Sequence, residues 1–181
     1  MTAATRTTLA ARIAETACVN GPFILGEGRV LASYFDEYRM AADPRLLGDV
    51  ADAMQVLIPE GAEVLAGVEL GGVPLVVALS AATGLPATFL RRLPKRYGSQ
   101  QQIEGADVAG RRVALVDDVI RSGGQLLAMA RMLRIAGASV PDALCVLERP
   151  MGGRPLLEKH GVTLHSLLTD ADLPAPHLEP S

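Results

Sequence analysis

Aromatic residues are nearly missing from this chain. Its 181 residues include three Tyr, three Phe and no Trp, 3% in all, although 49% are hydrophobic. The core must therefore be built from Ala, Val, Leu and Ile, which suits a parallel sheet covered by helices. Cysteine is scarce too: Cys18 and Cys145 are too few for a disulfide framework and do not stand at metal-ligand spacing. Cys145 lies in the apolar run 143–147, where a thiol behaves as a small core hydrophobe. No apolar run reaches the roughly 20 residues needed to cross a bilayer, and the first residues lack the hydrophobic segment of a signal peptide, so a cytoplasmic protein is expected. Positive charge is not in excess either. A net charge of -3 gives no general attraction to nucleic acid or to an anionic membrane, so any anion must be bound locally. The length is ample for one well-filled domain and short for two.

What the chain does contain is Val113-Ala114-Leu115-Val116-Asp117-Asp118-Val119-Ile120-Arg121-Ser122-Gly123-Gly124, two adjacent carboxylates between an apolar strand and a glycine turn that opens a helix. The four apolar residues before Asp117 read as a strand buried on both faces, and Leu126, Met129, Ala130, Leu133 and Ala136 follow at helical spacing. Free N–H groups and the positive end of a helix dipole favour a phosphate at such a turn, and Gly123 and Gly124 let the backbone approach it closely. The carboxylates can accept hydrogen bonds from two ribose hydroxyls or hold a hydrated Mg2+. An Asp-Asp pair alone would describe only a solvated strand end and helix cap. The longer pattern, three apolar residues, Asp-Asp, two apolar residues, any residue, then Ser-Gly-Gly, resembles the phosphoribosyl-pyrophosphate (PRPP) loop of the type I phosphoribosyltransferases.

Along the chain, a structureless start precedes a helix over Leu9 to Ala17, ended by Gly21 and Pro22, with an extended segment from Phe23. Asp43-Pro44 reads as an N-cap followed by proline in the first turn, opening a helix to about Ile58. Strand Val64 to Val68, helix Val73 to Thr83 closed by Gly84, and strand Ala87 to Leu90 follow. From Arg91 to Gly110 the composition turns basic and polar without apolar periodicity, which predicts a long mobile excursion. Four cations, Arg91, Arg92, Lys95 and Arg96, favour an anion-handling loop over a merely solvated one. Strands at Val113 to Val116, Ala143 to Leu147 and Val162 to Leu167 complete the pattern, with a short helix over Pro155 to Lys159 and a proline-bearing tail. Alternating strands and helices imply an α/β, doubly wound parallel sheet with ligands at the carboxyl ends of its strands. That edge would gather the 68–72 loop, the 91–110 loop, the 117–125 loop and Arg149.

The resemblance can be narrowed. Phe23-Ile24-Leu25-x-x-Gly28-Arg29, Tyr34-Phe35-Asp36, Glu69-Leu70-Gly71-Gly72-Val73-Pro74, Arg91-Arg92-x-x-Lys95-x-Tyr97-Gly98 and Glu148-Arg149 resemble, in order, the signatures of orotate phosphoribosyltransferase. The resemblance implies the type I phosphoribosyltransferase fold: a twisted, mainly parallel sheet flanked by helices, with a small N-terminal hood. One domain over 1–181 is expected, with helix and hood elements in 1–60, the core sheet in 61–170 and the tail in 171–181. It also implies Mg2+-dependent transfer of phosphoribose from PRPP to orotate, giving orotidine 5′-monophosphate and pyrophosphate in pyrimidine synthesis, by a homodimer with shared active sites.

By position, Asp117 and Asp118 would bind the ribose hydroxyls and, through water, a Mg2+ held mainly by PRPP. The stretch Val119, Ile120, Arg121, Ser122, Gly123, Gly124 and Gln125 would hold the 5′-phosphate. Glu69, Leu70, Gly71 and Gly72 would form the pyrophosphate loop, and Arg91, Arg92, Lys95 and Tyr97 would contact pyrophosphate oxygens. Lys95 would neutralise charge developing on the leaving group, making it catalytic together with the Asp pair. Arg149 would pair with the orotate carboxylate, and Tyr34, Phe35 and Arg121 would complete the base pocket, although Tyr34 and Phe35 fit core packing equally well. Three positions depart from the family pattern. Gly26 stands where a lysine is common, Arg121 where a threonine usually contacts orotate, and Gly71 where some members have lysine. Two other readings therefore stay open: a phosphoribosyltransferase for another base, and a PRPP-binding regulatory protein without catalysis.

Overall fold

The computed structural model describes residues 3–24, 30–94 and 101–173. Helix α1 (Ala3–Ala17) buries a stripe of Leu9, Ala10, Ile13, Ala14 and Ala17. It starts earlier than its apolar periodicity does. The first turns carry no stripe, but Arg6 pairs at 2.8 Å with Asp172 at the far end of the described chain, a contact that sequence spacing does not reveal. The helix ends at Ala17, and strand β1 (Cys18–Ile24) runs through Gly21-Pro22, which the sequence reads as a break. An irregular register between Asn20 and Phe23 absorbs the proline where β1 pairs with antiparallel β2 (Val30–Phe35). Helices α2 (Glu37–Ala42) and α3 (Pro44–Met54) follow, capped by Asp36 and Asp43. The Asp43 carboxylate accepts from the N–H groups of Arg45 (2.9 Å) and Leu46 (3.1 Å). A 3-10 turn over Gln55–Leu57 extends α3 towards the expected end.

The remaining elements are β3 (Val64–Val68), α4 (Gly72–Thr83), β4 (Ala87–Leu90), β5 (Ile103–Gly105), β6 (Arg112–Ile120), α5 (Gly124–Ile135), β7 (Ser139–Glu148), α6 (Gly153–Lys159) and β8 (Thr163–Thr169). They build a six-stranded sheet in the order β5-β4-β3-β6-β7-β8, parallel except for β5. Alternate residues divide between its faces. Leu65, Ala114, Val116, Leu144 and Val146 pack with α1, α3 and α4. Val64, Ala66, Val68, Val113, Leu115, Ala143 and Cys145 pack with α5 and α6 on the other face. Cys145 is fully buried there, as its apolar neighbours predict.

Two expectations are corrected. The excursion after Arg91 is not structureless throughout, because Ile103–Gly105 pairs antiparallel with β4 at the sheet edge. Three residues are too few to show a period of two, and the free edge of β4 supplies what local pattern lacks. Residues 95–100 of that excursion, and the tail from 174, lie outside the described residues. Ala136 is exposed beyond the end of α5, so the buried stripe of that helix is Leu126, Leu127, Met129, Ala130 and Leu133.

The chain runs outward from β3 to β4, then returns to β6 on the other side of β3, so the topological switch lies between β3 and β6. Crevices for ligands open at such points, above the carboxyl ends of the strands.

Candidate active site

Sequence reading ends the strand at Val116; β6 continues four residues further, through both aspartates to Ile120. Its neighbour β3 follows it only to the pair Gly67–Val116, whereas β7 accompanies it to Ile120–Glu148. From Asp117 onward one edge of β6 is therefore released, and the turn after β3 folds over it. That turn carries Glu69, Leu70, Gly71 and Gly72, with a cis peptide between Glu69 and Leu70.

The fit of this turn on the carboxylates explains its glycines. A Cβ at Gly71 would lie 1.5 Å from Asp118 Oδ2, and one at Gly72 would lie 2.4 Å from the Val116 carbonyl oxygen. A side chain at position 71, such as the lysine of some family members, is incompatible with this placement of Asp118.

Asp117 and Asp118 are each only 8% exposed. Their own backbone satisfies one oxygen of each: Asp118 N–H donates to Asp117 Oδ1 (3.1 Å) and Val119 N–H to Asp118 Oδ1 (2.6 Å). Burial and the neighbouring Asp118 carboxylate push the Asp117 pKa well up. Burial also raises Asp118, opposed by hydrogen bonds from Val119 and Asp117. Among the described residues no group of three or more His, Cys, Asp and Glu side chains forms a metal cage. A hydrated Mg2+ needs none: it binds through one or two carboxylates plus substrate phosphate oxygens, a donor set that this pair fits.

Beyond Ile120 the chain turns through Arg121, Ser122, Gly123 and Gly124 into α5. Gly123 has φ +73°, and its Cα approaches the backbone of Gly153 so closely that a Cβ would sit 3.0 Å from the Gly153 carbonyl oxygen. The N-terminal start of α6 thus braces the turn. The Val119 amide is already taken by Asp118, so the free amides of a phosphate cradle begin after the strand.

Cations converge from three loops. Arg92 N–H donates to Glu69 Oε1 at 2.5 Å, and its guanidinium lies close enough to Asp117 to oppose the rise of that carboxyl's pKa. Arg91 N–H donates to the Gln102 carbonyl at 2.9 Å, while Gln102 Nε2 donates to Arg92 O at 3.0 Å. The backbone of both arginines is thereby fixed to Gln102, the residue before β5. Arg121 is exposed; burial raises the pKa values of Tyr34, Glu37 and Asp118, and the Arg121 charge opposes that rise. Gln125 Nε2 reaches the Glu69 carbonyl at 3.3 Å and ties the two turns together. Lys95, Tyr97 and Gly26 lie outside the described residues.

Arg149 is the first residue after β7, and its N–H donates to the Ile120 carbonyl at 2.8 Å, directly beside the aspartate-bearing strand. Its guanidinium stands 5.7 Å from the centroid of the buried Phe35 ring. Phe35 packs in the core beside the arginine, and Tyr34 is half-buried. The adjacent Glu148 does not face the site. It is bound by Arg154 through Nε (2.9 Å) and Nη2 (2.5 Å) and by Ser166 Oγ (2.9 Å), which braces β7 against α6 and β8.

Three residues near the site carry no clear signal in the sequence. Glu37 and Tyr38 begin α2, near enough to Asp118 for its charge to act on both. Burial first, then the Asp118 charge, raises the Glu37 pKa; burial and the Glu37 carboxylate do the same for Tyr38. Asp170 follows β8 and pairs with Arg149 Nη1 at 2.6 Å. Its position just past a strand end, on the ligand edge of a parallel sheet, is the one hint available beforehand.

A parallel core with an antiparallel edge strand, an Asp-Asp strand released beside a glycine turn, and a second glycine turn opening a helix define the phosphoribosyltransferase class, and the family model of the phosphoribosyl transferase domain matches residues 41–168. Among similar proteins, the orotate phosphoribosyltransferase of a Nocardioides species is 44% identical over 168 residues, covering 93% of this chain and 94% of that protein. That of Methanopyrus kandleri is 42% identical over 153 residues, covering 84% and 82%. The crystal structure of Mycobacterium tuberculosis orotate phosphoribosyltransferase in complex with inorganic phosphate superposes with a TM-score of 0.84 at 27% identity, covering 93% of this chain and 98% of that one. The same enzyme in complex with PRPP gives 0.80 at 26% identity, over 93% and 98%. The chain belongs to the orotate phosphoribosyltransferase family.

Proposed function

We propose that this protein transfers the phosphoribosyl group of PRPP to orotate, releasing pyrophosphate and forming orotidine 5′-monophosphate for pyrimidine synthesis. The observation that carries this reading is the juxtaposition on β6 and β7. A carboxylate pair lies on β6, a helix-opening glycine turn follows that strand, and the Arg149 N–H donates to the strand's last carbonyl. In this reading the ribose hydroxyls donate to Asp117 and Asp118. The 5′-phosphate is held by the backbone of Arg121 to Gln125 at the positive end of α5, with Val119 and Ile120 as an apolar floor. Glu69 to Gly72, Arg91, Arg92, Lys95 and Tyr97 receive the pyrophosphate, and Arg149 takes the orotate carboxylate in a bidentate pair over Phe35.

The pyrimidine nitrogen forms its bond to C1 of the ribose as the C1–O bond to pyrophosphate breaks. The electron pair leaves on pyrophosphate, and the nitrogen loses its proton. Arg91, Arg92 and Lys95 oppose the charge that builds on the leaving oxygens, while the buried aspartates hold the sugar in place. Asp117 and Asp118 would hold a hydrated Mg2+ beside the bound PRPP, and that ion would supply further charge neutralisation on the leaving group. We also read 1–181 as one domain, the active form as a homodimer with shared sites, and the cellular place as the cytoplasm.

Incubation with orotate, PRPP and Mg2+ is expected to consume orotate and release pyrophosphate in equal amounts. Folded, dimeric protein that binds PRPP without orotate turnover would refute the reading. A second reading, transfer to another base, is favoured by Arg121, an exposed cation whose charge acts on Tyr34 and Glu37; exclusive turnover of a different pyrimidine or purine would decide for it. Arg149→Ala is expected to raise the KM for orotate roughly 100-fold, the loss of a bidentate charged pair, with the KM for PRPP within about twofold. Equal increases in both would remove Arg149 from the base pocket.

A further inference from the structure

Among the described residues, the Arg149 guanidinium is hydrogen-bonded through Nη1 only. Its Nη1 donates to Asp170 Oδ1 at 2.6 Å, and Asp170 is the one carboxylate within ion-pair distance of it among the described residues. The parallel register Glu148–Thr169 sets the two side by side, each the first residue beyond its strand. Phe35 supports the guanidinium; the half-buried Cys18 thiol has its pKa raised by burial, and the Arg149 and Asp170 charges act on it in opposite senses.

Asp170 itself is held in place. It opens the 3-10 turn Asp170–Asp172, where the Asp172 carboxylate accepts from the N–H and the hydroxyl of Thr169, both at 2.8 Å. Asp172 is in turn paired with Arg6 of α1 at 2.8 Å. A guanidinium presents two-nitrogen edges, and a partner on Nη1 leaves the edge formed by Nε and Nη2 for a planar carboxylate.

We propose that Asp170 is a positioning residue for base recognition, fixing Arg149 so that its Nε/Nη2 edge meets the carboxylate of the incoming pyrimidine. The inference rests on the reading of Arg149 given above. A side chain already locked into its docking orientation loses less conformational freedom when the base binds. Asp170 therefore acts on the base and not on PRPP.

Asp170→Asn, Asp170→Ala and Asp170→Glu, with Arg149→Ala and the Arg149→Ala/Asp170→Ala double variant, separate these roles in steady-state kinetics with each substrate varied. Asn keeps the shape and removes the charge, which guards against a fold defect. We expect Asp170→Ala and Asp170→Asn to raise the KM for orotate about tenfold while kcat and the KM for PRPP change less than about twofold. Asp170→Glu recovers part of the loss, and the Asp170→Ala effect disappears in the Arg149→Ala background. A lower KM for orotate in Asp170→Ala would make Asp170 a competitor for the arginine and overturn the proposal, as would an unchanged KM or a parallel rise for PRPP. If Arg149→Ala leaves the orotate KM unchanged, the assignment of Arg149 fails and the proposal falls with it. If Arg149→Ala raises it while the Asp170 variants are silent, only the proposal fails.

Discussion

Asp117→Asn is expected to lower PRPP affinity by about 100-fold and at the same time to melt higher than the parent near neutral pH. The first effect follows from hydrogen bonds: two ribose hydroxyls donating to a charged acceptor pair, at about 1.5–3 kcal/mol each, are weakened when a carboxylate becomes an amide. The second follows from burial. Asp117 is 8% exposed and adjacent to a second carboxylate, which raises its pKa in the folded protein above the ordinary value of 3.8. Between that value and the raised one, the folded state retains a proton that the unfolded chain has released. The native state then binds more protons than the unfolded state, so stability falls as pH rises through this window and stays reduced above it. Asparagine carries no such penalty and keeps an oxygen for the Asp118 N–H. Melting curves from about pH 4 to pH 8 should show the parent losing stability as pH rises and the variant losing less. A variant that melts lower throughout, or that binds PRPP normally in calorimetry, would contradict this account. PRPP binding by the parent should also release protons, because donated hydroxyls favour the ionised pair, and a heat that does not depend on the buffer's ionisation enthalpy would count against it. A site whose chemistry needs two adjacent buried carboxylates is a site that the fold tolerates at a cost.

Gly71→Ala and Gly72→Ala should separate function from stability at neighbouring positions. The new methyl group at 71 meets Asp118 Oδ2 at 1.5 Å, the mobile end of a side chain that can rotate away. Stability should then change by less than about 1 kcal/mol, while PRPP affinity falls about 100-fold because the displaced carboxylate no longer faces the ribose. At 72 the methyl group meets the Val116 carbonyl oxygen at 2.4 Å, part of the central strand. There the backbone of β6 or α4 must shift, and overpacking of this kind costs about 1–3 kcal/mol. Chemical denaturation and PRPP titration of both variants test the contrast. In an Asp118→Ala background, Gly71→Ala should have little further effect on PRPP binding. A full additional loss there would place the role of Gly71 elsewhere than in admitting Asp118.

These two predictions mark where sequence and structure each carry information. The apolar run before Asp117, the glycine turn after Ile120 and the helical stripe of α5 are local patterns, and each appears where period and turn chemistry place it. Strand Val64–Val68 and strand Ala87–Leu90 match their sequence reading residue for residue. The length of β6 was not legible, because Val119 and Ile120 owe their strand conformation to β7 rather than to their own neighbours. Nor was β5, whose three residues take their pairing from the open edge of β4.

The class of fold, the glycine turn, the acidic pair and the arginine that follows β7 are legible in the chain alone. Each is written in residues that stand together in the chain, where periodicity and turn chemistry act. Packing alone requires a bare Gly71 beside Asp118, brings Glu37 and Tyr38 within reach of the Asp118 charge, and pairs Asp170 with Arg149. Those contacts join residues from 21 to 81 positions apart, and pairing at such separations depends on how strands and helices pack, which no local pattern encodes.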